Sequence, residues 1–238
     1  MPPAKFPINA PQPRVVGSFG SALDLRAANA TQVGKCCDLA EIRLDLLALG
    51  GEDITPALWE HLLGVPLLFT ARRREEGGAL ELTACARMAL LRPALKDAAC
   101  IDVEVASIQE MAAILREIAE LDIPWIASYH DFNQLPDTTV LEQAAQQAKA
   151  AGAAIFKVAA KLSSPADVAR LAEFQLADHG IPVSTMGMGP LAPVSRLLCA
   201  QSGSRLNYGY LGDTATAPGQ WDSALLKTAV SRLVSILP

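Results

Sequence analysis

Short apolar or β-branched runs alternate with helical stretches along the whole chain. The runs are RVVGSF (14–19), AEIRLDLL (40–47), PLLFTARR (66–73), CIDVEV (100–105), PWIASYHDF (124–132), AIFKVAA (154–160), PVSTMGMG (182–189) and LNYGYL (206–211), and each predicts a strand. Start and stop signals frame the helices between them. Thr55-Pro56 followed by Gly64 predicts one, with a hydroxyl cap, a proline in the first turn and a glycine past the end. Ser107 with Glu110 three residues later has the form of a capping box. Asp137-Thr138-Thr139 opens a helix that stops at Gly152, and Ser164-Pro165 opens another that ends before Gly180. Two further helices are expected over 190–202 and 219–236.

Eight strands in βα alternation favour an α/β fold of the closed (β/α)8 (TIM) barrel type in one domain spanning 14–238. The proline-rich residues 1–13 (MPPAKFPINAPQP) read as a flexible lead-in without a signal-peptide core. A doubly wound open sheet is the alternative, but no GxGxxG or GxxxxGK[ST] follows any strand. The 238 residues match a barrel, for which about 250 is typical.

Composition narrows the chemistry. A net charge of −5 argues against a nucleic-acid surface, because binding phosphates needs clustered excess cations. No apolar run of about 18 residues suggests a membrane span. Cys36, Cys37, Cys85, Cys100 and Cys199 are odd in number and form no CxxC, so they read as reduced thiols of a cytoplasmic protein. No metal or other cofactor is called for.

Side chains at i and i+2 of a strand share a face. Glu41/Arg43, Thr70/Arg72, Asp102/Glu104 and Ser128/His130 are polar pairs at that spacing, and Met186/Met188 follow it on the seventh run. Polar groups on one face of four strands imply a polar site inside the barrel or at its mouth, where the C-terminal strand ends lie. Lys157 stands in the otherwise apolar AAIFKVAA. Desolvation and nearby cations such as Arg43 or Arg72 would lower its pKa and leave it nucleophilic toward a carbonyl. A lysine snorkelling from the strand end, or paired with Glu104, fits the pattern equally. His130 follows a strand and becomes a proton shuttle if Lys157 is in reach, with Glu76 or Asp131 to orient it. His61 and His179 are expected at exposed helix positions, and Lys161 in an exposed loop. Arg43, Arg72 and Arg196 aimed inward suggest a small anionic substrate. Glu76-Gly77-Gly78 and Ala217-Pro218-Gly219-Gln220 read as turned loops above the third and eighth strands.

These residues, in this order, resemble the type I 3-dehydroquinate dehydratase family over residue 14 to the C-terminus. The motifs are E-x-R-x-D at Glu41–Asp45, T-x-R-x-x-x-E-G-G at Thr70–Gly78, D-x-E at Asp102–Glu104, S-Y-H-D-F at Ser128–Phe132, Phe156-Lys157, M-x-M-G then Ser195-Arg196, and A-P-G-Q at Ala217–Gln220. The resemblance implies a barrel and cofactor-free dehydration of 3-dehydroquinate in the shikimate route of aromatic amino-acid biosynthesis. It implies Lys157 as the imine-forming lysine and His130 as general acid/base held by Glu76. It also implies Glu41, Arg43 and Arg72 at the substrate hydroxyls and reacting end, Arg196, Thr216 and Gln220 at the carboxylate, and Met186 and Met188 as walls. Members are often homodimers. Thr216 replaces a usual serine, Ala192 a common glycine, and the stretch 208–216 is a residue longer than is familiar. Another Schiff-base barrel enzyme, such as an aldolase acting on a different keto acid, or a non-enzymatic sensor of a shikimate-route metabolite, would fit part of the same pattern.

Overall fold

The computed structural model describes residues 6–8 and 11–234. Eight strands are present: β1 (Arg14–Phe19), β2 (Leu39–Arg43), β3 (Leu67–Thr70), β4 (Cys100–Glu104), β5 (Trp125–Asp131), β6 (Ile155–Lys161), β7 (Val183–Met188) and β8 (Leu206–Leu211). The helices are α1 (Ala22–Ala27), α2 (Ala30–Cys36), α3 (Leu44–Leu49), α4 (Ala84–Leu91), α5 (Ala112–Glu120), α6 (Thr138–Ala150), α7 (Pro165–Leu176), α8 (Ala192–Gln201) and α9 (Ser223–Val230). The strand order is β7-β6-β5-β4-β3-β2-β1-β8, parallel throughout. Such a sheet with covering helices rolls into a nearly closed barrel, which is the predicted architecture and excludes the open doubly wound sheet.

The barrel does not close by a backbone ladder between β7 and β8. Side chains bridge that seam: Leu206 N donates to Ser184 Oγ at 2.8 Å and Thr185 N to Ser204 Oγ at 3.2 Å. Arg205 N reaches Val183 O at 3.2 Å. From α8, Arg196 Nη1 donates to Tyr208 O at 2.6 Å and approaches Met186 Sδ at 3.7 Å, touching both strands.

Two apolar layers hold the fold. The outer one, between strands and helices, includes Leu25, Ile42, Trp59, Phe69, Ile114, Phe156, Leu171 and Leu226, all fully buried. The inner one fills the lower barrel with Val16, Leu39, Leu68, Cys100, Ile126, Ile155 and Leu206. Phe6 and Ile8, within the stretch read as a lead-in, are buried against this inner layer. Burial of this extent dominates folding, at roughly 1.5–3 kcal/mol for each large apolar side chain.

Several boundaries differ from expectation. The run 40–47 is strand only to Arg43, and α3 takes over at Leu44. The run 66–73 is strand only to Thr70. The Thr55–Gly64 frame holds two single 3₁₀ turns (Pro56–Leu58 and Glu60–Leu62) instead of an α-helix. Ser107 forms no capping box, because its hydroxyl accepts from Arg87 Nη1 at 2.9 Å and α5 starts only at Ala112. A capping box does form at Ser164, with Asp167 at the third position of α7. The last helix covers Ser223–Val230, and residues 235–236 of its expected span lie outside the described residues. His179 is buried and not exposed: its ring stacks on Phe174 at 4.1 Å and Nε2 bonds Phe174 O at 2.8 Å. His61 is exposed as expected, and Lys161 is exposed too, but as the last residue of β6 and not in a loop. All five cysteines are free; Cys37, Cys100 and Cys199 are buried. Among the described residues no helix is long and apolar enough to cross a membrane.

Candidate active site

The C-terminal halves of the strands carry the polar face. Parallel register places Arg43 beside Thr70, Thr70 beside Asp102, Glu104 beside Ser128 and Ser128 beside Lys157. Alternation then turns Glu41, Thr70, Asp102, Ser128 and Lys157 inward, where all are buried. Of these, Glu41 and Lys157 line a cavity with an open volume of about 490 Å³ together with Arg43, Arg72, Glu76, Gly77, His130, Met186, Met188, Arg196, Thr216 and Gln220. Every site residue named from the sequence is thus drawn to one place. Ser18, Phe132, Ala159, Tyr208 and Ala217 complete the lining.

Lys157 is 4% exposed, and its Nζ lies 3.2 Å from Asp102 Oδ2. Asp102, and not Glu104, is therefore its ion partner. Burial lowers the lysine pKa, opposed by Asp102 and reinforced by the charge of Arg72. Burial alone would raise Asp102, yet Arg72 and Lys157 hold it well below the usual carboxylate range. The carboxylate is shared: Oδ1 also takes Ser128 Oγ at 2.6 Å and Arg72 Nη1 at 2.9 Å.

His130 is positioned by a turn that returns from β3. Residues Arg74–Glu76 form a 3₁₀ turn closed by Gly77 at φ +89°, a left-handed conformation that favours glycine. A side chain on Gly78 would meet Arg72 O at 2.3 Å. The two glycines thus bring Glu76 over His130. Glu76 Oε2 accepts from His130 N at 2.9 Å and lies 3.0 Å from Nδ1. One oxygen facing two nitrogens of the same residue is an acceptor to both, so Nδ1 carries the proton and Nε2 keeps its lone pair. Asp131 is occupied elsewhere, accepting from Asn133 N and Gln134 N. Burial, Arg72 and Lys157 push the imidazole pKa well below its ordinary value, so His130 is neutral near pH 7. Burial raises Glu76 to about 7 despite the opposing charge of Arg72. Two groups driven apart in this way form an acid/base couple.

The arginines divide by role. Arg43 clasps Asp45 with Nε at 2.9 Å and Nη2 at 2.7 Å, and Nη2 reaches Gly77 O at 3.2 Å. Arg72 is held by Asp102, Glu104 and Ser128, all through Nη1. Behind it Arg87 of α4 is buried between Glu104, Ser107 and Ala71 O. Glu41 accepts from Ser18 Oγ at 2.5 Å and Thr70 Oγ1 at 2.7 Å. Arg196 differs from all of these. It is 2% exposed, has no ion pair among the described residues, and its Nε is buried without a partner. Burial alone brings its pKa down to about 10. A buried guanidinium without a counter-ion is a receiver for an anion. Arg196→Ala is expected to raise KM at least tenfold with a smaller change in kcat; an unchanged KM in steady-state kinetics would contradict the role.

The loop after β8 folds over this arginine. Thr216 N and Oγ1 both donate to Gln220 Oε1 at 2.9 Å, and Gly189 N donates to Pro218 O at 3.1 Å, which seats the loop on the end of β7. The Thr216 methyl faces Gly20, where a side chain would come within 3.0 Å of it. A side chain on Gly219 would likewise come within 2.9 Å of the Ala192 methyl.

Asp102 and Tyr208 received no role from the sequence. Asp102 stood in a recognised inward pair, so its spacing was informative. Tyr208 shares strand parity with Leu206 and Tyr210, and nothing in LNYGYL marks it out.

Comparison with known proteins bears on the same residues. A family described as Type I 3-dehydroquinase matches residues 19–235. The 3-dehydroquinate dehydratase of Methanocella arvoryzae is 32% identical over 208 residues, which is 87% of this chain and 91% of that protein. That of Methanothrix thermoacetophila is 32% identical over 92% of this chain and 91% of its own length. The crystal structure of the 3-dehydroquinate dehydratase from Geobacillus kaustophilus superposes with a TM-score of 0.77 at 26% identity, covering 92% of this chain and 90% of that one. With the match running over nearly the whole barrel, including every strand end that carries the site, this chain belongs to the type I 3-dehydroquinase family of enzymes.

Proposed function

We propose that the chain is a lyase that dehydrates 3-dehydroquinate to 3-dehydroshikimate through an imine on Lys157, with His130 as general acid/base. The observation that carries this reading is a buried lysine with lowered pKa, sharing one cavity with a neutral histidine whose Nδ1 is held by Glu76.

The neutral amine of Lys157 attacks the substrate carbonyl. The carbonyl oxygen leaves as water, and the new C=N bond takes a proton to become a cationic iminium. That cation is an electron sink and acidifies the neighbouring C–H. His130 Nε2 removes the proton, and the electron pair flows to nitrogen as an enamine. The pair then returns, the β-hydroxyl departs, and His130 gives back its proton so that the hydroxyl leaves as water. A further water hydrolyses the iminium and frees Lys157. Glu76 stabilises the imidazolium formed midway. Arg196 faces the substrate carboxylate, with Thr216 and Gln220 shaping the loop above it. Glu41, Arg43 and Arg72 address the hydroxyls and the reacting end, and Met186 and Met188 wall the ring. No metal or cofactor takes part. The family likeness and the free thiols support a cytoplasmic homodimer serving aromatic amino-acid biosynthesis.

Reduction with borohydride during incubation with 3-dehydroquinate is expected to give a stable secondary amine on Lys157, located by peptide mass spectrometry. Consumption of substrate without any adduct would exclude the imine. An intact substrate pool without adduct would exclude the substrate.

A further inference from the structure

The ring of Tyr208 lies under the reacting nitrogen. Lys157 Nζ sits 4.1 Å from its centroid, on β8 and across the barrel from Asp102. The ring is 4% exposed and lines the same cavity. Its hydroxyl is buried and has no hydrogen-bond partner among the described residues, so the ring face is what Tyr208 presents to the lysine.

We propose that the Tyr208 ring is a catalytic element of this enzyme, an aromatic floor that stabilises positive charge on the Lys157 nitrogen both as ammonium and as iminium. The inference rests on the imine reading above and adds a group to it. An aromatic face attracts a cation placed over it, most strongly where water is excluded. When the C–N bond forms and the carbonyl oxygen leaves as water, the positive charge stays on the same nitrogen and spreads to its new carbon. The ring therefore favours the iminium over the neutral imine and over the enamine that follows, and so holds the electron sink in its charged form. Asp102 does the same from β4, opposed by Arg72 from the segment that follows β3; besides Lys157 and Tyr208 themselves, Glu41, His130 and Glu76 are the titratable groups lining the pocket, and Arg43 and Arg196 its remaining cations. Tyr208 differs from the carboxylates in adding no net charge that would repel an anionic substrate.

Two variants separate the face from the hydroxyl. Tyr208→Phe keeps the ring and removes only the unpartnered oxygen. It is expected to retain turnover within about threefold and to melt no lower than the native protein, because a buried unpaired hydroxyl contributes nothing to lose. Tyr208→Leu, with Tyr208→Met as its replacement if it does not fold, removes the face. In that variant the acidic midpoint of kcat/KM is expected to fall by about one pH unit, as the ammonium loses its support. The fraction of enzyme trapped by borohydride at saturating 3-dehydroquinate is expected to fall about tenfold. A ring that merely fills space would change melting temperature and KM and leave the midpoint and the trapped fraction at native values; that result would overturn the inference. A tenfold loss in Tyr208→Phe would overturn it as well, by assigning the effect to the hydroxyl. Failure to trap the native enzyme would instead overturn the imine reading beneath it.

Discussion

Lys157→Met is expected to abolish turnover, with a loss on the order of 10⁵-fold or more, as when the attacking group of a covalent enzyme is removed. Methionine keeps the length and apolar stem of lysine and loses the nitrogen, so neither attack on the carbonyl nor an electron sink remains. The fold should survive. Asp102 loses the contact at 3.2 Å but keeps Arg72 at 2.9 Å and Ser128 at 2.6 Å, so it is not left buried without a cation. Steady-state assays with circular dichroism check this directly. A folded variant that keeps even one percent of native turnover would end the case for covalent catalysis.

The second large effect belongs to the His130–Glu76 couple. His130→Ala should slow kcat by roughly 10²–10⁴-fold, the contribution of a positioned acid/base. Imine formation needs only the lysine, so the variant should still be trapped by borohydride. Glu76→Gln should cost a similar factor for a different reason. Its amide oxygen would still accept from the backbone N–H and Nδ1 of His130, but an amide brings no negative charge to stabilise the imidazolium. The pH dependence follows. Glu76 titrates at about 7, whereas His130 is held well below its usual range. As pH falls through 7, Glu76 takes up a proton and no longer stabilises the imidazolium, so native kcat should decline there, and it should be maximal above. The residual kcat of Glu76→Ala should lack that limb. A native profile flat from pH 6 to 8 would remove Glu76 from the mechanism.

How much of this could be read from the chain alone depends on the kind of fact. Facing residues were legible because strand alternation is strictly local: Glu41 with Arg43 and Asp102 with Glu104 announce their side at once. A lysine amid Ala, Ile, Phe and Val was equally plain. Where α3 begins was not, because Leu44-Asp45-Leu46-Leu47 serves a strand or a helix equally well, and the turn of chain after Arg43 is decided by Asp45 gripping that arginine. The Ser107–Glu110 pattern failed for a long-range reason, since Arg87 from another element takes the hydroxyl and lies 3.4 Å from Glu110. The partner of Lys157 also lay beyond reach. Choosing Asp102 over Glu104 depends on the height at which strands two apart meet inside a tilted barrel, which no single strand encodes. Glu76 was named beside Asp131 as a carboxylate able to orient His130, but choosing between the two took the motif, because a 3₁₀ turn of three residues has no period. Arg196 was named, but its want of a counter-ion is a property of everything around it.

That isolation of Arg196 has a consequence for how the molecule breathes. The rolled sheet has one margin without a backbone ladder, between β7 and β8, and the guanidinium proposed to receive the substrate carboxylate reaches across it to Tyr208 O and Met186 Sδ. Occupancy of the pocket and closure of the cylinder thus share a component. Linkage makes that relation mutual: an anion that tightens the margin is itself bound more tightly when the margin is closed.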